Sequence, residues 1–171
     1  MASFQLPEGF EPIIGTDETV LDDKGRVLIP KRKRDRLGRT FALVLGKVGA
    51  LVIYPEAIWR ALLHEVFEAG TLDPAREQFT RLQLGLAADG LKFDPAGRMV
   101  LPQDLRDAAK LKIGDPLKLI GCGDRIEIWT KPEWEAFQRF PQHYGKERRE
   151  PIEEAYQSML RAAHMRGEPR A

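Results

Sequence analysis

The stretch Asp22-Asp23-Lys24-Gly25-Arg26-Val27-Leu28-Ile29-Pro30 decides how this chain is read, because it occurs twice. It returns 72 positions later, with substitutions, as Asp94-Pro95-Ala96-Gly97-Arg98-Met99-Val100-Leu101-Pro102. The Asp, Gly, Arg and Pro recur in place, and three apolar residues precede each Pro. A repeat of this kind organises a whole fold. The chain is therefore predicted to contain two copies of one structural unit.

The repetition continues after the quoted stretch, at a slightly different spacing. At an offset of 75, the matching pairs are Gly46 and Gly121, Tyr54 and Trp129, and Trp59 and Trp134. The offset changes from 72 to 75, so a three-residue length change is expected between Pro30 and Gly46.

Each copy of the stretch has the composition of a tight turn between two strands. Asp22 and Asp94 suit the first position of a type I turn, and Gly25 and Gly97 suit the fourth, where a positive φ is tolerated. The apolar residues that follow predict a returning strand, which a proline ends. We call residues 22–26 the first corner and residues 94–98 the second corner. Arg26 and Arg98 are thereby predicted at the tips of two rigid corners.

The role of the two arginines has two interpretations. An Asp and an Arg four residues apart can form an ion pair that stabilises the turn. A guanidinium held beside a surface turn is also suited to bind an anion. The sequence leaves both open.

Periodicity predicts a mainly β fold with bridging and terminal helices, in the α+β class. Strands are expected at residues 18–21, 26–29, 41–45, 51–54, 91–93, 98–101, 117–120 and 125–129. Helices are expected behind Pro55 up to Gly70, from Asp73-Pro74 to about Gly90, near Pro132, and over residues 151–165.

Charge is unevenly distributed along the 171 residues. The formal net charge is only +1, with 27 Lys and Arg against 26 Asp and Glu. Residues 24–39, however, contain eight basic side chains and one acid, Asp35, so they carry +7 (eight minus one) and the remainder about −6. Such a run is commonly a solvated face, and it is also the footprint of a nucleic-acid contact.

Composition argues against several protein classes. Apolar residues make up 43% and charged residues 31%, which is enough to fold a core. The single cysteine, Cys122, has no partner within the chain and favours a reducing, cytoplasmic location. With no run of 18 apolar residues and no signal-peptide pattern, neither export nor membrane spanning is expected.

No catalytic constellation emerges from the sequence. His64, His143 and His164 are scattered, with no spacing typical of a triad or a metal site. Gly121-Cys122-Gly123 precedes a predicted strand, whereas a dinucleotide loop opens a helix. We therefore expect no enzyme activity, no small-molecule substrate, no cofactor and no metal.

The doubled Asp-x-x-Gly-Arg-x-x-x-Pro motif resembles that of the MraZ family of bacterial transcriptional regulators, over about residues 17–138. Two further landmarks agree: Arg81-Leu-Gln-Leu-Gly before the second repeat, and Ile120-Gly-Cys-Gly-Asp-Arg-Ile-Glu-Ile-Trp129 with Trp134. The resemblance implies two AbrB-type (SpoVT-AbrB) swapped-hairpin half-barrels in a pseudo-twofold arrangement. It also implies a closed homo-oligomeric ring, and sequence-specific binding to DNA upstream of division and cell-wall genes, at the nucleoid.

This interpretation divides the chain into five parts. They are an N-terminal extension (1–16), a first repeat (17–60), bridging helices (61–90), a second repeat (91–137) and a tail with a helix (138–171). The extension is longer than the family's usual start, and residues 31–36 are more basic than usual.

Roles for the basic side chains follow from this division. Phosphate contacts are expected from Lys24, Lys31, Arg32, Lys33, Arg34 and Arg36. Arg26 and Arg98 are expected to read bases, because Arg matches the guanine edge bidentately. Lys24 corresponds to Ala96, so the first repeat is expected to face DNA more strongly.

Two alternatives to a ring-forming regulator stay open at this stage. One is an antitoxin-like AbrB protein that binds DNA and also a partner protein through its tail. The other is a structural assembly module in which the basic run only aids solubility.

Overall fold

The computed structural model describes residues 6–46, 48–68 and 72–141, with Glu154, Gln157, Ser158 and Arg161. Apart from those four residues, the helix expected over residues 151–165 lies outside the described part of the chain, as does Gly70.

Between residues 6 and 141, the described part of the chain has eight strands and five α-helices, in the order that a duplicated unit requires. In the first repeat these are β1 (Ile13–Val20), β2 (Arg26–Leu28), α1 (Lys31–Leu37), β3 (Phe41–Leu45), β4 (Leu51–Pro55) and α2 (Glu56–Glu68). The connection is α3 (Pro74–Phe79), continued by a π-helical turn (Thr80–Leu84). The second repeat has β5 (Ala88–Leu91), β6 (Arg98–Val100), α4 (Gln103–Ala108), β7 (Pro116–Gly123), β8 (Ile126–Thr130) and α5 (Lys131–Arg139).

Strand pairing joins the two repeats to each other. Six strands form one antiparallel sheet in the order β1-β7-β8-β4-β3-β5, and β2 pairs with β6 in a separate two-stranded ribbon. The first strand of each repeat therefore pairs with the third strand of the other, as β1 with β7 and β5 with β3. The fourth strands, β4 and β8, pair with each other. The mainly β fold class is confirmed, and the pairings are related by a pseudo-twofold exchange.

One continuous apolar core lies between the ribbon and the large sheet. Val27 and Met99 from the ribbon belong to the same buried cluster as Leu43, Ile53 and Leu119 from the sheet. A side chain such as Val27 gains about 1.5–3 kcal/mol when it is fully buried. Each repeat contributes strands to both walls of this core, but neither repeat completes a wall alone, so the two repeats stabilise each other.

The structure differs from the expected elements mainly in three places, and in addition β7 continues to Gly123, three residues beyond the expected end. Strand β1 begins at Ile13, not at residue 18, so residues 13–16 of the expected extension belong to the sheet. Gly15 has weak intrinsic strand propensity, and the pairing of residues 13–16 with residues 120–123 of β7 stabilises the extended conformation there. Strand β5 likewise begins at Ala88, inside the segment expected to be bridging helix.

The third difference is a short helix after each motif proline, which the strand pattern did not predict. Helices α1 and α4 follow Pro30 and Pro102, and straight-chain residues good at forming helices fill much of both. The expected length change lies just after them. Residues 39–40 separate Gly38 from β3, whereas residues 111–115 separate Lys110 from β7. Gly38 and Lys110 occupy equivalent positions and both have a positive φ, 84° and 57°.

Candidate nucleic-acid interface

The first corner is held by a single carboxylate. Asp22 Oδ1 accepts hydrogen bonds from the backbone N–H groups of Lys24 (2.9 Å) and Arg26 (2.8 Å), and Asp22 Oδ2 accepts one from Arg26 Nε at 2.8 Å. Gly25 N–H donates to the Asp22 carbonyl at 3.0 Å, with φ at +72°. The Asp therefore both builds the turn and orients the Arg side chain.

The second corner repeats this geometry. Asp94 Oδ1 accepts from Ala96 N–H and Arg98 N–H, each at 2.9 Å, and Asp94 Oδ2 accepts from Arg98 Nε at 2.8 Å. The predicted Asp–Arg ion pair is thus present in both corners. This does not exclude an anion contact, because the Nε bond uses only one of the five N–H donors of each guanidinium.

The two carboxyls are held in their ionised form. Burial alone would raise the pKa of Asp22, but the hydrogen bonds from Arg26 and Lys24 outweigh it and leave the pKa below its ordinary value. The pKa of Asp94 is lowered chiefly by the hydrogen bond from the Arg98 backbone. Both corners should keep their shape throughout the neutral pH range.

The antiparallel β2–β6 ribbon places the two corners at its opposite ends. Arg26 is the cross-strand partner of Val100, and Leu28 is the partner of Arg98. Val27 and Met99 point inward, so the alternation of side chains along a strand places the other four residues on the outer face. The Arg26 side chain is 21% exposed and that of Arg98 37% exposed. Sequence reasoning predicted both corners but not that they share one surface.

Each corner is also supported by an arginine from the opposite repeat. The guanidinium of Arg106, on α4, lies against Gly25, and that of Arg34, on α1, lies against Gly97. Backbone hydrogen bonds also connect each corner to the opposite repeat. Leu101 N–H donates to the Gly25 carbonyl at 2.9 Å, and Ile29 N–H donates to the Gly97 carbonyl at 3.1 Å. Arg106 is a residue that the sequence analysis missed, although it equals Arg34 at the offset of 72.

The basic run forms helix α1, and several of its charges have acidic partners on the N-terminal segment. Arg32 pairs with Asp17 at 2.8 Å, and Arg36 pairs with Glu11 at 3.3 Å. Lys31 pairs with Asp35 at 2.7 Å on the exposed side of the helix. The cationic character of this face is therefore lower than the formal charge of the segment indicates.

Lys33 does not fit the expectation of a phosphate contact. Its side chain is only 1% exposed, and Nζ donates to the carbonyls of Ile14 (2.9 Å) and Gly15 (2.8 Å) while lying 2.9 Å from Asp17 Oδ2. The equivalent position in the second repeat is Leu105, which is equally buried. Lys33 thus tethers α1 to β1. The run of four basic residues does not itself show which one points inward, but the apolar Leu105 at the equivalent position is a sequence signal for it.

The remaining candidate contacts are on the surface of the first repeat. Lys24 is exposed in the first corner, where the second corner has Ala96. Arg34 is half-buried beside Gly97, and Arg32 remains 61% exposed despite its ion pair. The structure therefore places Arg26 and Arg98 on one outer face of the ribbon, with Lys24 in the first corner and α1 next to the second corner through Arg34.

The cysteine thiol and the cavity, the two features that could bear on catalysis, lie outside the two corners. Burial raises the pKa of the Cys122 thiol to about 11, which keeps it protonated and a poor nucleophile. A cavity of about 260 Å³ lies near α2, and Arg125, one of the residues lining it, pairs with Asp124 and Glu127. Within the described ranges, no cluster of three or more His, Cys, Asp or Glu could hold a metal ion.

The helices of the described segments are also too short or too polar to cross a bilayer.

The family model and the similar proteins all point to the same family. The model of the MraZ protein family, whose description suggests an antitoxin-like role, matches residues 13–82 and 85–150. A protein of Pediococcus pentosaceus is 34% identical over 71% of this chain and 83% of its own length. One of Alkalilimnicola ehrlichii is 36% identical over 71% and 82%, and one of Chromobacterium violaceum is 35% identical over 68% and 79%. All three are named transcriptional regulator MraZ.

Proposed function

The chain belongs to the MraZ family, and from that membership we propose that it is a transcription regulator, not an enzyme, that binds duplex DNA sequence-specifically. The observation that carries the proposal is the outer face of the β2–β6 ribbon, where Arg26 and Arg98 are each oriented by an Asp. The major groove admits a two-stranded ribbon. The names of the relatives support the regulatory role.

The side chains divide into two groups by their geometry. Arg26 and Arg98 are proposed to read guanine, because a guanidinium can donate to both O6 and N7. The proposed phosphate contacts are Lys24, Lys31, Arg32, Arg34 and Arg36, without Lys33. These contacts supply affinity and position, and the two corner arginines supply sequence discrimination.

Lys24 makes the first corner the more basic of the two, since Ala96 stands in its place in the second. We therefore propose that the first repeat contributes more of the electrostatic attraction to DNA. The acidic partners of Arg32 and Arg36 reduce, but do not cancel, the charge of α1, since both arginines stay at least one-third exposed.

Assembly into a closed ring is part of the proposal. Strand β1 is one of the two terminal strands of the sheet and carries two exposed apolar side chains, Ile14 (65%) and Val20 (54%). A long sheet edge with exposed apolar residues is suited to contact another chain. In a ring, the first corners of neighbouring chains point in the same direction around the rim. This arrangement would match short direct repeats in DNA.

Two further parts of the proposal rest on the family resemblance alone. They are the target, a cluster of division and cell-wall genes, and a cytoplasmic, nucleoid-associated location. The antitoxin-like description of the matching family model favours a second candidate, in which the tail of residues 138–171 also binds a partner protein.

Duplex binding is tested first with a random-sequence library, from which the full chain selects its preferred DNA. Affinity for the selected duplex should fall steeply as salt rises, because bound cations are displaced from the phosphates. A selected duplex should also bind at least about a thousandfold more tightly than random DNA. Salt-independent binding, or no enrichment of any sequence, would contradict the proposal.

Base reading is tested with Arg26→Ala, and Arg60→Ala serves as the matched control. Arg60 is also a surface arginine paired with an acid, but it lies on α2. Arg26→Ala should cost about 1–3 kcal/mol of affinity for the selected duplex and much less for random DNA. Equal losses on both duplexes would show that Arg26 contacts only the DNA backbone.

The second candidate is tested by copurification. A partner protein that copurifies with the chain through its tail would support it.

A further inference from the structure

Two apolar side chains are exposed on the outer face of the ribbon. Leu28 is 51% exposed and Val100 is 57% exposed, whereas their strand neighbours Val27 and Met99 are 0% and 1% exposed. Each lies directly across from a corner arginine of the other repeat, Leu28 from Arg98 and Val100 from Arg26. The surface therefore presents two arginine–apolar pairs related by the pseudo-twofold exchange of the repeats.

This pairing limits what can cover the surface. An apolar protein face would leave the remaining donors of two buried guanidinium groups without partners, which is costly. The major groove of DNA offers both kinds of group together: guanine presents O6 and N7 acceptors, and thymine presents a 5-methyl group. The chemistry of the ribbon thus matches the floor of the major groove better than an apolar protein surface.

Resting on the proposed DNA binding, we propose that Leu28 and Val100 are specificity-determining residues that contact thymine methyl groups next to the guanines read by Arg26 and Arg98. Leu28 follows Arg26 by two residues, and Val100 follows Arg98 by two. A strand rises about 3.3 Å per residue, and base pairs are stacked about 3.4 Å apart along one strand. Each thymine is therefore expected within about two base-pair steps of a guanine.

Replacing thymine with uracil isolates this contact, because it removes only the methyl group. The duplex selected from the random library is resynthesised with uracil at one thymine at a time, and affinity for the full chain is measured by fluorescence anisotropy. A methyl group is similar in size to a CH₂ group, whose burial is worth about fourfold in affinity. Uracil at the contacted positions should weaken binding by about three- to fivefold, and uracil elsewhere should have no effect.

Variants then assign the contacts to residues. Leu28→Ala and Val100→Ala should each abolish the difference between thymine and uracil at their own position while the difference at the other position remains. Leu72→Ala is the matched control, because Leu72 is 89% exposed but lies between α2 and α3, outside the ribbon. It should leave every thymine-to-uracil difference unchanged.

The outcomes separate this inference from the proposed function. If the thymine duplex itself is not bound, the DNA-binding proposal fails. If it is bound and uracil makes no difference at any position, DNA binding stands and the methyl contact is refuted. If Leu28→Ala or Val100→Ala lowers the assembly mass in light scattering and leaves the uracil effect intact, the ribbon contacts another protomer and the inference is overturned.

Discussion

The guanidinium of Arg106 lies against Gly25, so close that a β-carbon placed on the glycine would be 3.0 Å from Arg106 Cζ. The two residues belong to different repeats. The corner that holds Arg26 is therefore shaped partly by a helix of the second repeat, and Arg34 supports Gly97 in the opposite direction. Neither corner is complete within its own repeat.

This contact predicts a graded effect of alanine at three glycines. Gly25→Ala should lower the free energy of unfolding by about 1–2 kcal/mol, because an L side chain is strained at a positive φ. Gly97→Ala should cost more, since its β-carbon would lie closer to Arg34 than that of Gly25 would to Arg106. Gly90→Ala is the control, because Gly90 has a φ of +63° with open space around it. Urea unfolding measures all three, and equal losses would rule out support from the opposite repeat.

Acid should weaken the corners in a defined pH range. The pKa values of Asp22 and Asp94 lie below their ordinary value of 3.8 in the folded chain. Their contribution to stability is therefore complete above about pH 5 and is lost as the pH falls through the folded-state pKa values. In a pH titration of urea unfolding, the double variant Asp22→Asn and Asp94→Asn should lose less stability than the parent below pH 3.8. Parallel curves for the two proteins would contradict this expectation.

Lys33 should be coupled energetically to Asp17. Replacing Lys33 with Leu, the residue at the equivalent position 105, removes the buried cation and leaves Asp17 with Arg32 as its remaining charged partner. We expect a loss of about 1–3 kcal/mol in unfolding free energy, and a smaller loss when Asp17→Asn is added. A double-mutant cycle measures this coupling.

The matched control for that cycle is the exposed pair of Lys31 and Asp35 on the same helix, whose side chains are 78% and 60% exposed. Coupling between those two should be no more than about 0.5 kcal/mol. If the cycle at Lys33 and Asp17 gives a value as small, the buried contact does not stabilise the fold.

A ring of chains predicts a dependence on the spacing between DNA sites. Linked first corners should read direct repeats about 10 base pairs apart, so that each meets the same face of the duplex, and should gain affinity by effective concentration. Changing the spacing by half a turn should collapse binding, and a full turn should partly restore it. A binding assay on a series of spacings decides this, and indifference to spacing or preference for one palindrome would refute the ring arrangement.

The local chemistry of the corners was readable from the sequence. Asp at the first turn position and Gly at the fourth act over five residues, and the structure has both turns with the predicted Asp–Arg pairs. Strand positions were also predicted from the sequence, and the strand over residues 41–45 has the observed bounds. Such features depend on hydrogen bonds and backbone preferences between near neighbours, which a short stretch of sequence contains.

Tertiary structure alone decided the partners across the molecule. That β2 pairs with β6, that Arg106 lies against Gly25, and that Lys33 points inward all depend on contacts between segments far apart in the chain. The sequence by itself determined two equivalent units, each with one tight turn and four predicted strands. Only packing the units together determined which strand covers which, because Val27 and Met99 are buried only when the core is built from both repeats.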